Sequence, residues 1–270
     1  MTFFHSFKIR LSINSYTSRY MSTCLGLFVN CGQLRQREFT TAVIAFMVKA
    51  YEPLWRGIIC PTAMSLESML ENINYTLFSL INATPASPSW LISLAIFIAK
   101  DLISIVPLMA VALWLWGPCA QVSEQRKLVI KIALALAFSM TLSWLVGHLY
   151  PHDRPFVEGV GYNFLHHAPD DSFPSDHGTV IFTFALAFLF WHRLWSGVIL
   201  MLTAIAIAWS RIYLGVHWPL DMLGGLLTGM IGCLVAQMLW QRVGHVIYLR
   251  LQQLYRLCFS VPIRKGWVRD

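Results

Sequence analysis

Charge is scarce in this 270-residue chain: Asp, Glu, Lys and Arg together make up 12% of it, against 57% hydrophobic residues. A soluble globule needs a more charged surface, so the composition excludes that class and leaves an integral membrane protein. Cysteine is used without pattern. Cys24, Cys31, Cys60, Cys119, Cys233 and Cys258 include neither a CxxC pair nor metal-ligand spacing to nearby histidines, which argues against a disulfide framework and a zinc site. No carboxylate cluster suggests a divalent-cation site, and neither an internal repeat nor a low-complexity tract is present. No metal and no cofactor is expected.

What is abundant is long apolar sequence. Five runs, over approximately 90–116, 128–150, 178–191, 197–213 and 220–240, approach or exceed the roughly 20 residues that a helix needs to cross a hydrocarbon core. The third is short unless it begins near Ser175. Ahead of them, Ser65 to Asn82 places Leu70, Ile73, Leu77, Leu80 and Ile81 at near-helical spacing after Glu67 and Glu71, as in a helix lying at the membrane interface. Pro85 and Pro88 end it. The expected fold is therefore an all-α polytopic membrane bundle of about five transmembrane helices plus an interfacial amino-terminal helix.

Three parts are expected along the chain. Residues 1–63 form an atypical leader, either a signal-like segment lacking a small-residue cleavage site or a stretch preceding a physiological start at Met64 or Met69. Residues 64–241 form the membrane-embedded domain, and 242–270 a basic cytoplasmic tail. The tail carries Arg242, Arg250, Arg256, Arg264, Lys265 and Arg269. It adjoins a span and has no nucleic-acid-binding pattern, so membrane lipid headgroups are the expected partner and nucleic acid is not. Arg126, Lys127 and Lys131 between runs one and two, Arg193 between three and four, and the tail all belong on the cytoplasmic side by the excess of positive charge. The segments 151–173 and 211–219 then face outward, and they hold His152, Asp153, His166, His167, Asp170, Asp171 and His217, with His177 and Asp221 just beyond their ends.

Three polar clusters fall at the outer ends of separate spans: His148 to Pro155, Pro174 to His177, and Ser210 to Asp221. In the last, Arg211 offers a planar fork suited to phosphate oxygens. Pro219 suits the first turn of a helix and brings Asp221 within reach of His217. A carboxylate on one imidazole nitrogen leaves the other free to attack; a loop histidine hydrogen-bonded near the headgroups is the plainer alternative. Ser175 suits an N-cap whose exposed amides would cradle an anion, with His177 placed to protonate a leaving oxygen, although Pro and Ser are ordinary capping residues too. Arg154 is either a second phosphate clamp or a snorkelling anchor. Lys100 and Asp101, in the middle of the first run, are either a structural pair or functional.

With these clusters in order and on one face, the pattern resembles the type 2 phosphatidic acid phosphatase superfamily. That signature has Lys, six residues and Arg-Pro, then Pro-Ser-Gly-His, then Ser-Arg, five residues, His, three residues and Asp. More closely it is similar to the bacterial undecaprenyl-diphosphate phosphatases of that superfamily, through His152-Asp153-Arg154-Pro155-Phe156, Phe173-Pro174-Ser175-Asp176-His177 and Tyr213 to Pro219. The likeness runs from about Met69 to the carboxyl end.

Gly147 stands at the signature lysine and Asp176 at the glycine of the second element; His148 or Lys100 is a candidate source of the missing charge, and Asp176 a candidate site residue. The resemblance implies that His217 attacks phosphorus, Asp221 orients it and His177 protonates the leaving oxygen, while Arg154, Ser175 and Arg211 bind phosphoryl oxygens. It also implies a polyprenyl diphosphate substrate, hydrolysed at the periplasmic face of the bacterial inner membrane to recycle the carrier lipid and lower bacitracin sensitivity. Phosphatidylglycerophosphate or phosphatidate is the alternative substrate. A non-catalytic lipid-binding or transport protein is the alternative of another class, and it would need more midspan polar residues than these runs hold.

Overall fold

The computed structural model describes residues 63–117 and 119–270, so the leader expected over 1–63, Ala63 apart, lies outside the described residues. Every regular element among the described residues is helical. α1 covers Ala63–Ile81. α2 (Ser89–Lys100) and α3 (Ile105–Trp116) are joined by a 3-10 turn over Leu102–Ser104, and a second such turn over Cys119–Gln121 leads into α4 (Val122–Leu149). After a long outer loop come α5 (Asp176–Trp191), α6 (Leu194–Tyr213), α7 (Pro219–Cys258) and the short α8 (Ser260–Arg264).

Each of the five apolar runs becomes helical, in the expected order. The stretches Ser89–Trp116, Val122–Leu149, Leu194–Tyr213 and Pro219–Cys258 are long and apolar enough to cross a bilayer, and the chain is a multi-pass membrane protein. α5 does begin next to Ser175, yet its 16 residues span only about 24 Å. Length is not what seats it: α4, α6 and α7 enclose it, and Ile181, Phe184, Ala185 and Ala187 are wholly buried. On the outer helices, Ile199, Leu202 and Leu108 are more than half exposed, the apolar surface that a bilayer covers.

Two features depart from a simple set of spans. The first run is interrupted after Lys100, where Asp101 leads into the 3-10 turn, and both residues are exposed. Lys100 has no hydrogen bond or ion pair among the described residues, so the structural-pair reading of Lys100 with Asp101 is not what the structure shows. The second departure is in the segment read as a basic tail. α7 continues through it to Cys258, because Gly244, Gln252 and Tyr255 lie buried on one face while Arg242, Arg250 and Arg256 point outward.

The last residues then fold back. Arg269 N–H donates to the Leu115 carbonyl (2.9 Å). The buried Arg126 donates to the Trp114 carbonyl (3.2 Å), Gln252 Oε1 (3.1 Å) and the Arg269 carbonyl (2.7 Å), and its guanidinium stacks over the Tyr255 ring at 4.3 Å.

At the other end of the bundle α1 braces the loops. Tyr75 and Phe78 pack their rings on Trp218 at 4.7 and 4.9 Å. Asn74 Oδ1 accepts the Leu220 amide (3.1 Å), and Asn82 exchanges two hydrogen bonds with the backbone of Tyr162 (2.8 and 2.9 Å). A helix expected merely to float at the interface thus holds down the segments that carry the polar clusters.

Candidate active site

His217 lies in the five-residue link between α6 and α7. Gly215 makes this link possible: its φ is +79°, and a Cβ there would fall 2.1 Å from the Tyr162 carbonyl oxygen. Pro219 opens α7 as expected, and the Asp221 carboxylate accepts the Trp218 amide at 2.7 Å, capping the helix. The same carboxylate oxygen lies 3.2 Å from His217 Nδ1 and accepts a short hydrogen bond from the Ser172 hydroxyl. Asp221 is thus held by two groups and in turn holds the imidazole.

The other ring nitrogen, Nε2, meets three groups: Arg154 Nη1 at 3.0 Å, Ser175 Oγ at 3.2 Å and Arg211 Nη2 at 3.4 Å. A guanidinium only donates. These contacts therefore assign the tautomer with the proton on Nδ1, facing Asp221, and the lone pair on Nε2. Arg154 Nη1 also passes 3.4 Å from Nδ1, but the shorter approach is to Nε2. His217 is 2% exposed. Burial first, then the positive charges of Arg211 and Arg154, hold its imidazole well below the ordinary value of 6.5, so the ring is neutral at physiological pH. A neutral, oriented imidazole with a free lone pair is a nucleophile in waiting.

The two arginines are held differently. Arg154 gives Nε to the Asp170 carboxylate (2.8 Å), Nη1 to the Val216 carbonyl (2.9 Å) and Nη2 to the Asp171 carbonyl (3.2 Å). Arg211, equally buried, has among the described residues only a long bond to the Ala99 carbonyl (3.4 Å), at the end of α2 where the first span breaks, besides its contact with His217. Its Nε is buried without a partner. Unmet guanidinium donors in a buried pocket call for an anion.

Ser175 caps α5, its hydroxyl accepting the Gly178 amide (3.3 Å). His177, the second residue of α5, is half-buried within the electrostatic reach of Arg211, His167 and Arg154, and its ring makes no hydrogen bond among the described residues. It is free to meet a substrate oxygen. The structure thus brings together His217, Asp221, Arg154, Ser175 and Arg211, with His177 at the rim.

Asp176, His148 and Lys100 fare differently. Asp176 is exposed at the start of α5, close enough to act electrostatically on Arg211. His148 is exposed and stacked on Trp144 (5.1 Å), away from the cluster, and Lys100 has no partner in it. Gly147, at the signature lysine, is buried, and a Cβ there would stand 3.1 Å from the Phe173 carbonyl oxygen. The Phe173 backbone would have to give by a few tenths of an ångström to admit a side chain there. Ser172 and the outer-loop residues Asp170 and His167 stand at the site without a role that the sequence assigns them. They sit in a polar loop whose composition gives no hint of which residues turn inward.

Among known proteins, a family model described as the PAP2 superfamily matches residues 126–244. YbjG of Escherichia coli (strain K12), which carries the provisional name of an undecaprenyl-diphosphatase, is 74% identical over 202 residues, covering 75% of this chain and 100% of that protein. Undecaprenyl-diphosphatase BcrC of Bacillus subtilis (strain 168) is 32% identical over 159 residues, 59% of this chain and 80% of that one. A crystal structure of a transmembrane PAP2-type phosphatidylglycerolphosphate phosphatase from Bacillus subtilis superposes with a TM-score of 0.50 at 15% identity, covering 76% of this chain and 96% of that one, a likeness of fold.

Proposed function

The chain belongs to the PAP2 superfamily, and from that membership we propose that it hydrolyses undecaprenyl diphosphate to undecaprenyl phosphate and inorganic phosphate. Its relatives named for that activity support the substrate. The observation that carries the chemistry is His217 Nε2, its lone pair surrounded by Arg154, Ser175 and Arg211 while Asp221 holds Nδ1.

The terminal phosphoryl group enters between Nε2 and these donors, and its oxygens replace the ring nitrogen as their acceptor. Nε2 then attacks phosphorus. The bond to the bridging oxygen breaks, His177 protonates that oxygen, and undecaprenyl phosphate departs. The resulting phosphohistidine is hydrolysed by water, with His177 taking a proton from the attacking water, which restores its acid form, and the Nε2–P bond returning its electrons to the ring. Asp221 stabilises the positive charge that the ring carries meanwhile. Donors fixed before the charge develops supply most of the rate, each worth about 3 kcal/mol.

The placement of Arg126, Lys127, Lys131 and Arg193 at the end of the bundle away from the site supports a periplasmic site, a cytoplasmic carboxyl end and residence in the inner membrane. Carrier recycling at that face would lower bacitracin sensitivity. The test is phosphate release from undecaprenyl diphosphate by detergent-purified protein in EDTA, wild type against His217→Ala. Release that persists in EDTA and vanishes in the variant is expected. A folded wild type that releases none would transfer the assignment to another lipid phosphate.

A further inference from the structure

The signature provides three cations to the phosphate, and this chain has Gly147 at the third. Its replacement cannot come from that position: the Phe173 carbonyl closes over Gly147, and His148 turns outward onto Trp144.

The outer loop supplies a different candidate. His167 presents its ring to His217, with centroids 6.3 Å apart and planes at 70°. Its Nδ1 lies 3.4 Å from Asp170 Oδ1 and 3.1 Å from the Ala168 carbonyl. Asp170 Oδ1 is the same oxygen that takes Arg154 Nε at 2.8 Å. One carboxylate therefore brackets the His167 imidazole and the Arg154 guanidinium, and Arg154 already touches His217. With Nδ1 engaged by Asp170, Nε2 is the nitrogen of His167 left to meet an oxygen, and the side chain is 24% exposed, at the mouth of the site rather than sealed in its floor. As with Asp221 and His217, a carboxylate beside Nδ1 aims the opposite nitrogen; the difference is that His167, protonated beside the incoming diphosphate, offers Nε2–H where His217 offers a lone pair.

We propose that His167 is the third cation of the site, binding a phosphoryl oxygen of the lipid diphosphate through Nε2–H in the place the signature gives to a lysine, with Asp170 fixing it beside Arg154. This rests on the phosphatase reading for its substrate but not for its binding chemistry. A diphosphate brings more negative charge than Arg154 and Arg211 neutralise, and a charge-assisted hydrogen bond from a third group is what the bracket is built to give.

The experiment compares wild type, His167→Gln, His167→Asn and His167→Lys in detergent, measuring kcat and KM for undecaprenyl diphosphate and, by calorimetry, the Kd of inorganic diphosphate. Both neutral variants are expected to lose about ten- to hundredfold in kcat/KM, mostly through KM, and to weaken inorganic diphosphate by a similar factor. His167→Lys is expected to recover most of both. A purely structural histidine would not be rescued by lysine. Neutral variants with unchanged affinity, or a lysine variant as poor as the neutral ones while equally folded, would overturn the proposal. Two neutral variants guard against one failing to fold. If wild type cleaves no undecaprenyl diphosphate but binds inorganic diphosphate in a His167-dependent way, the substrate reading falls and this one stands.

Discussion

Two buried arginines stand at opposite ends of the bundle and show how alike a structural and a functional cation can look. Arg126 is wholly buried near the start of α4, and Arg211 is 2% exposed beside the site at that helix's far end; Gly147, which marks the far end, is about 32 Å from Arg126 along α4. Neither forms an ion pair among the described residues. Arg126 spends its donors on the Trp114 and Arg269 carbonyls and Gln252 Oε1, and its face on Tyr255. Arg211 has two contacts at 3.4 Å and a buried Nε with none. Burial does not separate them; the unmet donor does. A latch is complete in the unliganded protein, whereas a binding site is complete only with its ligand.

The comparison can be broken at several points. His217→Asn removes the proposed nucleophile and is expected to lower kcat by at least about a thousandfold in steady-state assays, with folding intact. Arg211→Met leaves the phosphoryl oxygens short of a fork, and kcat/KM should fall by about a hundred- to a thousandfold. Gly147→Lys, which restores the signature residue, should cost about tenfold in kcat/KM, because its Cβ would press on the Phe173 carbonyl from 3.1 Å and displace the loop that carries Ser172 and Ser175. A gain in kcat/KM would show that the lysine still has a place.

Arg126→Met should leave kcat of the folded enzyme within about twofold but lower thermal stability by about 2–4 kcal/mol through three lost hydrogen bonds and their stranded acceptors. A loss of kcat like that of Arg211→Met would erase the distinction drawn between the two ends. The smallest effect concerns pH. Since burial and two arginines lower the His217 value well below 6.5, its proton-free form persists as pH falls through 6.5. The acid limb of kcat/KM from this group belongs well under that value, and a one-proton loss centred near 6.5, after correction for the substrate's own titration, would contradict it.

Much of this was legible beforehand because it is local. Ser-Arg, His and Asp at fixed spacing around Pro219 place a carboxylate one turn from an imidazole wherever a helix starts at Pro219, and Ser175 before a helical run is a cap by its chemistry. The apolar runs likewise declared their helices. What stayed hidden is tertiary. Ser172 and Asp170 matter only because the loop closes over Asp221 and Arg154. The break after Lys100 matters because Arg211, far along the chain, takes the Ala99 carbonyl. The helix beyond Trp240 was hidden by its arginines, which read as a tail until Gly244, Gln252 and Tyr255 are seen to share the buried face.

The most direct test of His217 as nucleophile is rapid chemical quench with undecaprenyl diphosphate labelled on its terminal phosphorus. Label bound to the wild-type protein, stable to alkali, lost in acid as an N–P bond is, and mapped to His217 is the predicted result. Rapid turnover with no protein-bound label at any quench time, or label on a different residue, would contradict it.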